Sequence, residues 1–153
     1  MPRLKIDVSD YSEVLDALSA GVYMQVVAED AVTEVTARML NKTRKNFLAQ
    51  KDPHGVSWEP SRAAFFRSFG IRNGKKVKAG GGTLYDTGNL FHSIQLSAEN
   101  KTPLHQELGT DVPYASAHNF GVGQVKRQFI GYSPADELYF STLVRKKIQE
   151  LLP

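Results

Sequence analysis

The residues with the clearest chemical potential are Asp86-Thr87-Gly88, at the centre of the stretch Gly82–Ile94. An Asp-Thr-Gly turn can hold one carboxylate against a twin so that the pair shares a proton and serves acid–base hydrolysis. A chain of 153 residues with one such tripeptide would have to dimerise to complete the pair. The same residues fit a purely structural role. Asp86 or Thr87 can cap a short helix over Gly88–Ser93 by accepting hydrogen bonds from its free N–H groups. Gly88 then permits the tight turn, and Leu84, Leu90 and Ile94 face the core.

Other reactive residue types are arranged less suggestively. His54, His92, His105 and His118 show no paired ligand spacing, and cysteine is absent, so neither a metal site nor a cofactor is expected. Gly80-Gly81-Gly82 lacks the lysine and helix that would make it a phosphate-cradling loop. Net charge is only +3, but the positive charge is concentrated. No acid lies between Glu59 and Asp86, while Arg62, Arg67, Arg72, Lys75, Lys76 and Lys78 do. Interleaved with Phe65, Phe66 and Phe69, these cations allow two readings. One is a DNA-binding module over residues 62–78, with Lys75, Lys76 and Lys78 on phosphates. The other is an arm whose aromatics dock on a neighbour; no nucleic-acid motif accompanies the charge, which favours docking.

Around these residues the chain alternates in period. Ser9 or Asp10 can start a short helix that Gly21 stops. A long helix over Tyr23–Gln50 carries Met24, Ala28, Ala31, Val32, Val35 and Met39 as one apolar stripe, with Glu29, Asp30, Glu34, Arg44 and Lys45 away from it. Lys51-Asp52-Pro53-His54-Gly55 ends it in a turn, and Trp58 anchors the following loop to the core. Residues 61–82 read as a flexible, projecting basic loop or hairpin arm ending in glycines. Ser93–Glu99 and His105–Thr110 read as antiparallel strands, residues 112–121 as a short helix, and Gln128–Tyr132 as a third strand. Ser133-Pro134 opens a last helix with Phe140, Val144, Ile148 and Leu151 on one face. The expected fold is α+β over a single domain, residues 1–153: a long N-terminal and a C-terminal helix packed on a small antiparallel sheet. No apolar run approaches about 20 residues, so no membrane partner is expected, and the first residues lack the apolar core of a signal peptide.

This helix-led order disfavours a dimeric aspartic protease, whose fold is nearly all β. Phe129-Ile130-Gly131 matches the hydrophobic-hydrophobic-glycine element of such enzymes, but Asn89 stands where they carry a small residue.

An ordered set of motifs points elsewhere. After a long helix ending in Phe47 come Asp52-Pro53-x-Gly55-x-x-Trp58-x-Pro60, then Leu84-Tyr85-Asp86-Thr87-Gly88-x-Leu90-x-x-Ser93-Ile94. Gly109-Thr110, Tyr114-Ala115-x-x-His118-x-x-Gly121 and Arg127-x-Phe129-Ile130-Gly131 follow. Over roughly residues 40–135 this set resembles the virion-morphogenesis (tail-completion) family of tailed phages and prophages, as found in Mu-like phages. The resemblance implies a structural, non-enzymatic protein without a catalytic site, in which Asp86, Thr87 and Gly88 are structural, as are Trp58, Tyr114, Gly121 and Arg127. It implies a place at the virion neck, with assembly in the host cytoplasm, and action in tail completion or termination and head–tail joining. Its partners would be copies of itself in a six-fold ring, other neck, tail-tube or head-completion proteins, and DNA passing through the lumen. The candidate ring patches are Phe65, Phe66, Phe69, Arg67 and Arg72 on the arm, and Glu29, Asp30 and Glu34 on the long helix.

Overall fold

The computed structural model describes residues 5–6, 22–76, 82–97, 102 and 104–151. The expected first helix, from Ser9 or Asp10 to Gly21, lies outside them. The long helix is α1 (Val22–Leu48), about 40 Å at 1.5 Å per residue. Ala28, Ala31, Val32, Val35, Met39 and Phe47 are buried along one side, the face that the three-and-four spacing marks out. Thr36 is buried in the same stripe, and its hydroxyl donates to Gln106 Oε1 at 2.8 Å, so the polar atom does not go unpaired.

This stripe packs on an antiparallel sheet of order β1-β5-β4, made of β1 (Lys5–Ile6), β4 (Gln95–Leu96) and β5 (Gln106–Gly109). The paired strands expected around 93–99 and 105–110 are β4 and β5, with Gln95 opposite Gly109 and Leu96 opposite Leu108. The third strand is a correction. Residues 128–132 join no sheet, and the other edge of β5 is taken by β1, with Lys5 opposite Glu107. The backbone of 128–130 is satisfied by side chains instead. Asn119 Oδ1 accepts from the Phe129 and Ile130 N–H groups at 3.0 Å each, and Gln128 O accepts from Trp58 Nε1 at 2.8 Å. Phe129 and Ile130 are still buried, so the apolar run marks the core without marking a ladder.

Two short helices, α3 (Asn89–Ser93) and α4 (Ala115–Phe120), come before β4 and after β5 along the chain. The latter is the helix expected over 112–121, stopped by Gly121 at φ 77. The last helix, α5 (Pro134–Leu151), runs antiparallel along α1. Their cross-links fall in opposite chain order: Asp136 meets Lys42, Tyr139 meets Arg38 and Glu34, and Lys147 meets Glu34 and Asp30. Phe140, Leu143 and Val144 are buried between them. The core centres on Phe47, whose ring lies 5.3 Å from Trp58 and 5.7 Å from both Phe91 and Phe129. No helix among the described residues is long and apolar enough to cross a membrane.

Candidate interaction surface

Residues 61–76 carry regular structure within the expected loop or hairpin arm. They contain α2 (Arg62–Ser68) and a hairpin of β2 (Ile71–Arg72) and β3 (Lys75–Lys76). Lys78, Gly80 and Gly81 lie outside the described residues. The helix starts where capping chemistry places it: the Ser61 hydroxyl accepts from Ala64 N–H at 3.0 Å. The hairpin turns at Asn73-Gly74, with φ 48 and 74, the left-handed pair whose twist matches that of the strands.

The element is set on the body at both ends. At its entry, Asp52 Oδ1 accepts from His54 N–H at 2.9 Å and Val56 N–H at 2.8 Å, closing the turn after α1. Trp58 then pins the chain in the core, and Arg127, itself buried, donates from Nε to Glu59 O at 2.9 Å. At its exit, Thr83 N–H donates to Gln50 Oε1 at 3.0 Å, and the Thr83 hydroxyl accepts from Ser61 N–H at 3.2 Å. Gln50 passes so close that a Cβ at Gly82 would lie 1.4 Å from its Nε2, so glycine there serves close approach rather than mobility.

With its ends fixed, α2 sorts its side chains. Ala64 faces inward, and Arg67 donates from Nη2 to Gly82 O at 2.7 Å. Phe65, Phe66 and Phe69 face outward, 58%, 45% and 66% exposed. Their rings form an edge-on cluster, 5.8 Å between Phe65 and Phe66 and 5.0 Å between Phe65 and Phe69. Large aromatics are normally buried, so three together in solvent mark a contact surface.

Asp86 belongs to this surface. Its carboxylate pairs with Arg72 Nη2 at 3.0 Å and faces Arg67 Nε at 3.8 Å. Of the two capping candidates Asp86 is not the one used: Gly88, φ 83, sits at the N-cap before Asn89, and it is Thr87 Oγ1 that accepts from Asn89 N–H, at 3.4 Å. Two guanidinium groups face this carboxylate, an environment unlike the carboxylate pair that the hydrolytic reading calls for.

The acidic face on α1 is elsewhere and already engaged. Lys147 bridges Asp30 and Glu34, the latter at 3.2 Å, and Tyr139 donates to Glu34 at 2.9 Å. The Tyr139 hydrogen bond, with Lys147 next, holds the Glu34 carboxyl below its ordinary value. Glu29 accepts from Gln25 at 2.9 Å. Tyr114 is exposed, edge-on to His118 at 6.1 Å. Burial, and then the Arg127 charge, lowers the His118 pKa.

Two features had no sequence signal strong enough to find them. One is the Asn119 bracket under residues 129–130; the other is the Lys42–Ser133–Asp136 cluster, which depends on a contact between distant helices. Among the described residues no group of three or more His, Asp or Glu side chains could hold a metal ion.

No curated protein and no solved structure matches the chain. A family model does match, that of the phage virion morphogenesis family, over residues 6–149. Nearly the whole chain is covered, including both packed helices, the sheet and the aromatic surface. The chain therefore belongs to the phage virion morphogenesis family, and its work lies in the structure and assembly of a phage particle.

Proposed function

We propose that this protein is a non-enzymatic, ring-forming subunit of the virion neck, acting in tail completion or termination and in joining filled heads to tails. The observation that carries the reading is the cluster of Phe65, Phe66 and Phe69, displayed on a helix anchored at both ends. Fully burying a phenylalanine contributes roughly 1.5–3 kcal/mol, so three half-exposed rings offer about 4 kcal/mol of gross apolar gain on docking. A closed ring needs two different complementary patches on each protomer. The aromatic face supplies one of them, in a ring of six, and other neck, tail-tube or head-completion proteins would cover the ring's faces. Glu29 is the less committed acid of the α1 face, because Asp30 and Glu34 already hold Lys147.

The test is assembly. Virions carrying Phe65→Ser, Phe66→Ser and Phe69→Ser together should accumulate filled heads and complete tails as separate objects in electron micrographs. Light scattering of the purified wild-type chain should show an oligomer that the triple variant loses. A wild-type chain that stays monomeric at high concentration, alone and with tail tubes, would overturn the proposal.

A further inference from the structure

We infer that the β2–β3 hairpin is a nucleic-acid contact, a two-stranded ribbon that enters a duplex groove and holds phosphates on both walls without reading sequence. In the hairpin register Arg72 lies opposite Lys75 and Ile71 opposite Lys76. Cross-strand partners share a face and neighbours along a strand alternate, so Arg72 and Lys75 project to one side and Lys76 to the other. All of these side chains are exposed. Like charges directly opposite one another are unfavourable in a hairpin, and among the described residues the acid paired with either is Asp86, on Arg72 at 3.0 Å. Among the described residues neither Lys75 nor Lys76 has an acidic partner. Nearby, Arg67 Nε is buried without a hydrogen-bond partner and faces the same Asp86 carboxylate that pairs with Arg72, so among the described residues one carboxylate is shared by two arginines.

The placement of these charges decides between two kinds of anion. An acidic protein surface presents carboxylates to one side of a ribbon. A duplex groove presents phosphates to both sides, and the major groove, about 12 Å wide, admits a two-stranded ribbon. Cations on both faces match the groove. The tip is Asn73-Gly74, with one short side chain and none, so it carries little means of base readout. The phenylalanines sit on α2 rather than on the ribbon, which leaves the apolar surface for a protein partner.

The experiment is fluorescence anisotropy of a labelled mixed-sequence duplex of about 30 base pairs, from about 50 to 200 mM salt. Phosphate contacts by Arg72, Lys75 and Lys76 predict a log–log slope of about −2.7, a weakening of roughly 40-fold over that range. Lys75→Ala with Lys76→Ala should cut the slope to about −0.9, a weakening of roughly 3.5-fold, with the thermal midpoint unchanged. A control variant at the exposed Lys45 and Lys146 should keep the wild-type slope. The inference is overturned by no binding at the lowest salt, by an unchanged slope in the hairpin variant or by an equal loss in the control. It is equally overturned if polyglutamate of matched charge competes as well as duplex, since that result would assign the ribbon to an acidic protein. The Phe65/Phe66/Phe69 variant should retain the full slope, so failure here and failure of the neck reading are told apart.

Discussion

Replacing Asp136 with asparagine tests how the two long helices are held together. Asp136 Oδ2 accepts from Ser133 N–H at 2.9 Å and from the Ser133 hydroxyl at 2.6 Å, and it pairs with Lys42, which also donates to Ser133 Oγ at 2.8 Å. Asp136 is almost fully buried and Lys42 about a quarter exposed. Removing one partner of a fully buried pair costs about 3–5 kcal/mol, and the partial exposure of Lys42 reduces this to about 2–3 kcal/mol. At 2–4 °C per kcal/mol for a chain of this size, the melting midpoint should fall by roughly 5–10 °C. Burial pushes the Asp136 carboxyl up, but the hydrogen bonds from Lys42 and Ser133 outweigh it and leave the folded value below the ordinary one. A folded pKa below the unfolded one means that this stabilisation is complete above the unfolded value and is lost as pH falls through the folded value. Wild type should therefore lose stability from about pH 5 downward, and Asp136→Asn should lose less over the same range. In Lys42→Met the lowering contribution of Lys42 is gone and burial pushes the Asp136 carboxyl up. A folded value raised above the unfolded one reverses the sign, so the contribution of this group should hold or grow, rather than fall, as pH drops through that range. Urea melts across pH read all three chains. If Asp136→Asn costs less than about 0.5 kcal/mol, or keeps the wild-type acid limb, the cluster is not what joins the helices.

Two further substitutions separate structural from functional roles. Asn119→Ala removes the acceptor for two buried N–H groups, Phe129 and Ile130, and should cost about 2–5 kcal/mol by thermal or urea melts; a loss under about 1 kcal/mol would mean that water or another group serves them. Asp86→Asn should change stability by less than about 1 kcal/mol, because its pair with Arg72 is half exposed, and should still give infectious particles. A folded Asp86→Asn chain that yields none, with Asp86→Glu (which keeps a carboxylate for Arg72) failing as completely, would point back to chemistry rather than to presentation of the hairpin.

What was legible in the sequence was which side of each element is buried. Ala28, Ala31, Val32, Val35 and Met39 on α1, and Phe140 and Val144 on α5, face the core as their spacing requires. Trp58 is the buried anchor its lone position in a Pro-Gly loop implied. What the sequence did not carry was the partner across each contact. Residues 128–132 have the composition of a strand, yet Asn119 and Trp58 meet their backbone, and nothing local announces either. Asp30 and Glu34 look like free surface acids until α5 brings Lys147 beside them, more than a hundred positions later in the chain. Asp86 is a similar case: local pattern offers capping, and the basic residues that claim it instead arrive through the fold.

That reassignment gives the central Asp-Thr-Gly turn a different mechanical meaning. Contacts among the described residues tie the segment from Ser61 to Arg72 to the segment from Gly82 to Asp86. Ser61 N–H meets Thr83 Oγ1 at 3.2 Å, Arg67 meets Gly82 O at 2.7 Å, and Arg72 meets Asp86 at 3.0 Å. The first two join entry to exit and fix the aromatic helix. The third reaches further out and fixes the hairpin relative to it. A surface held in one pose before docking loses less conformational freedom when it docks, and each rotamer-rich side chain spared is worth about 0.5–1.5 kcal/mol. Asp86 therefore adds little to folding and more to presentation. Charge reversal to lysine would push Arg72 away without touching the core, so its damage should appear in assembly while the melting curve stays nearly in place.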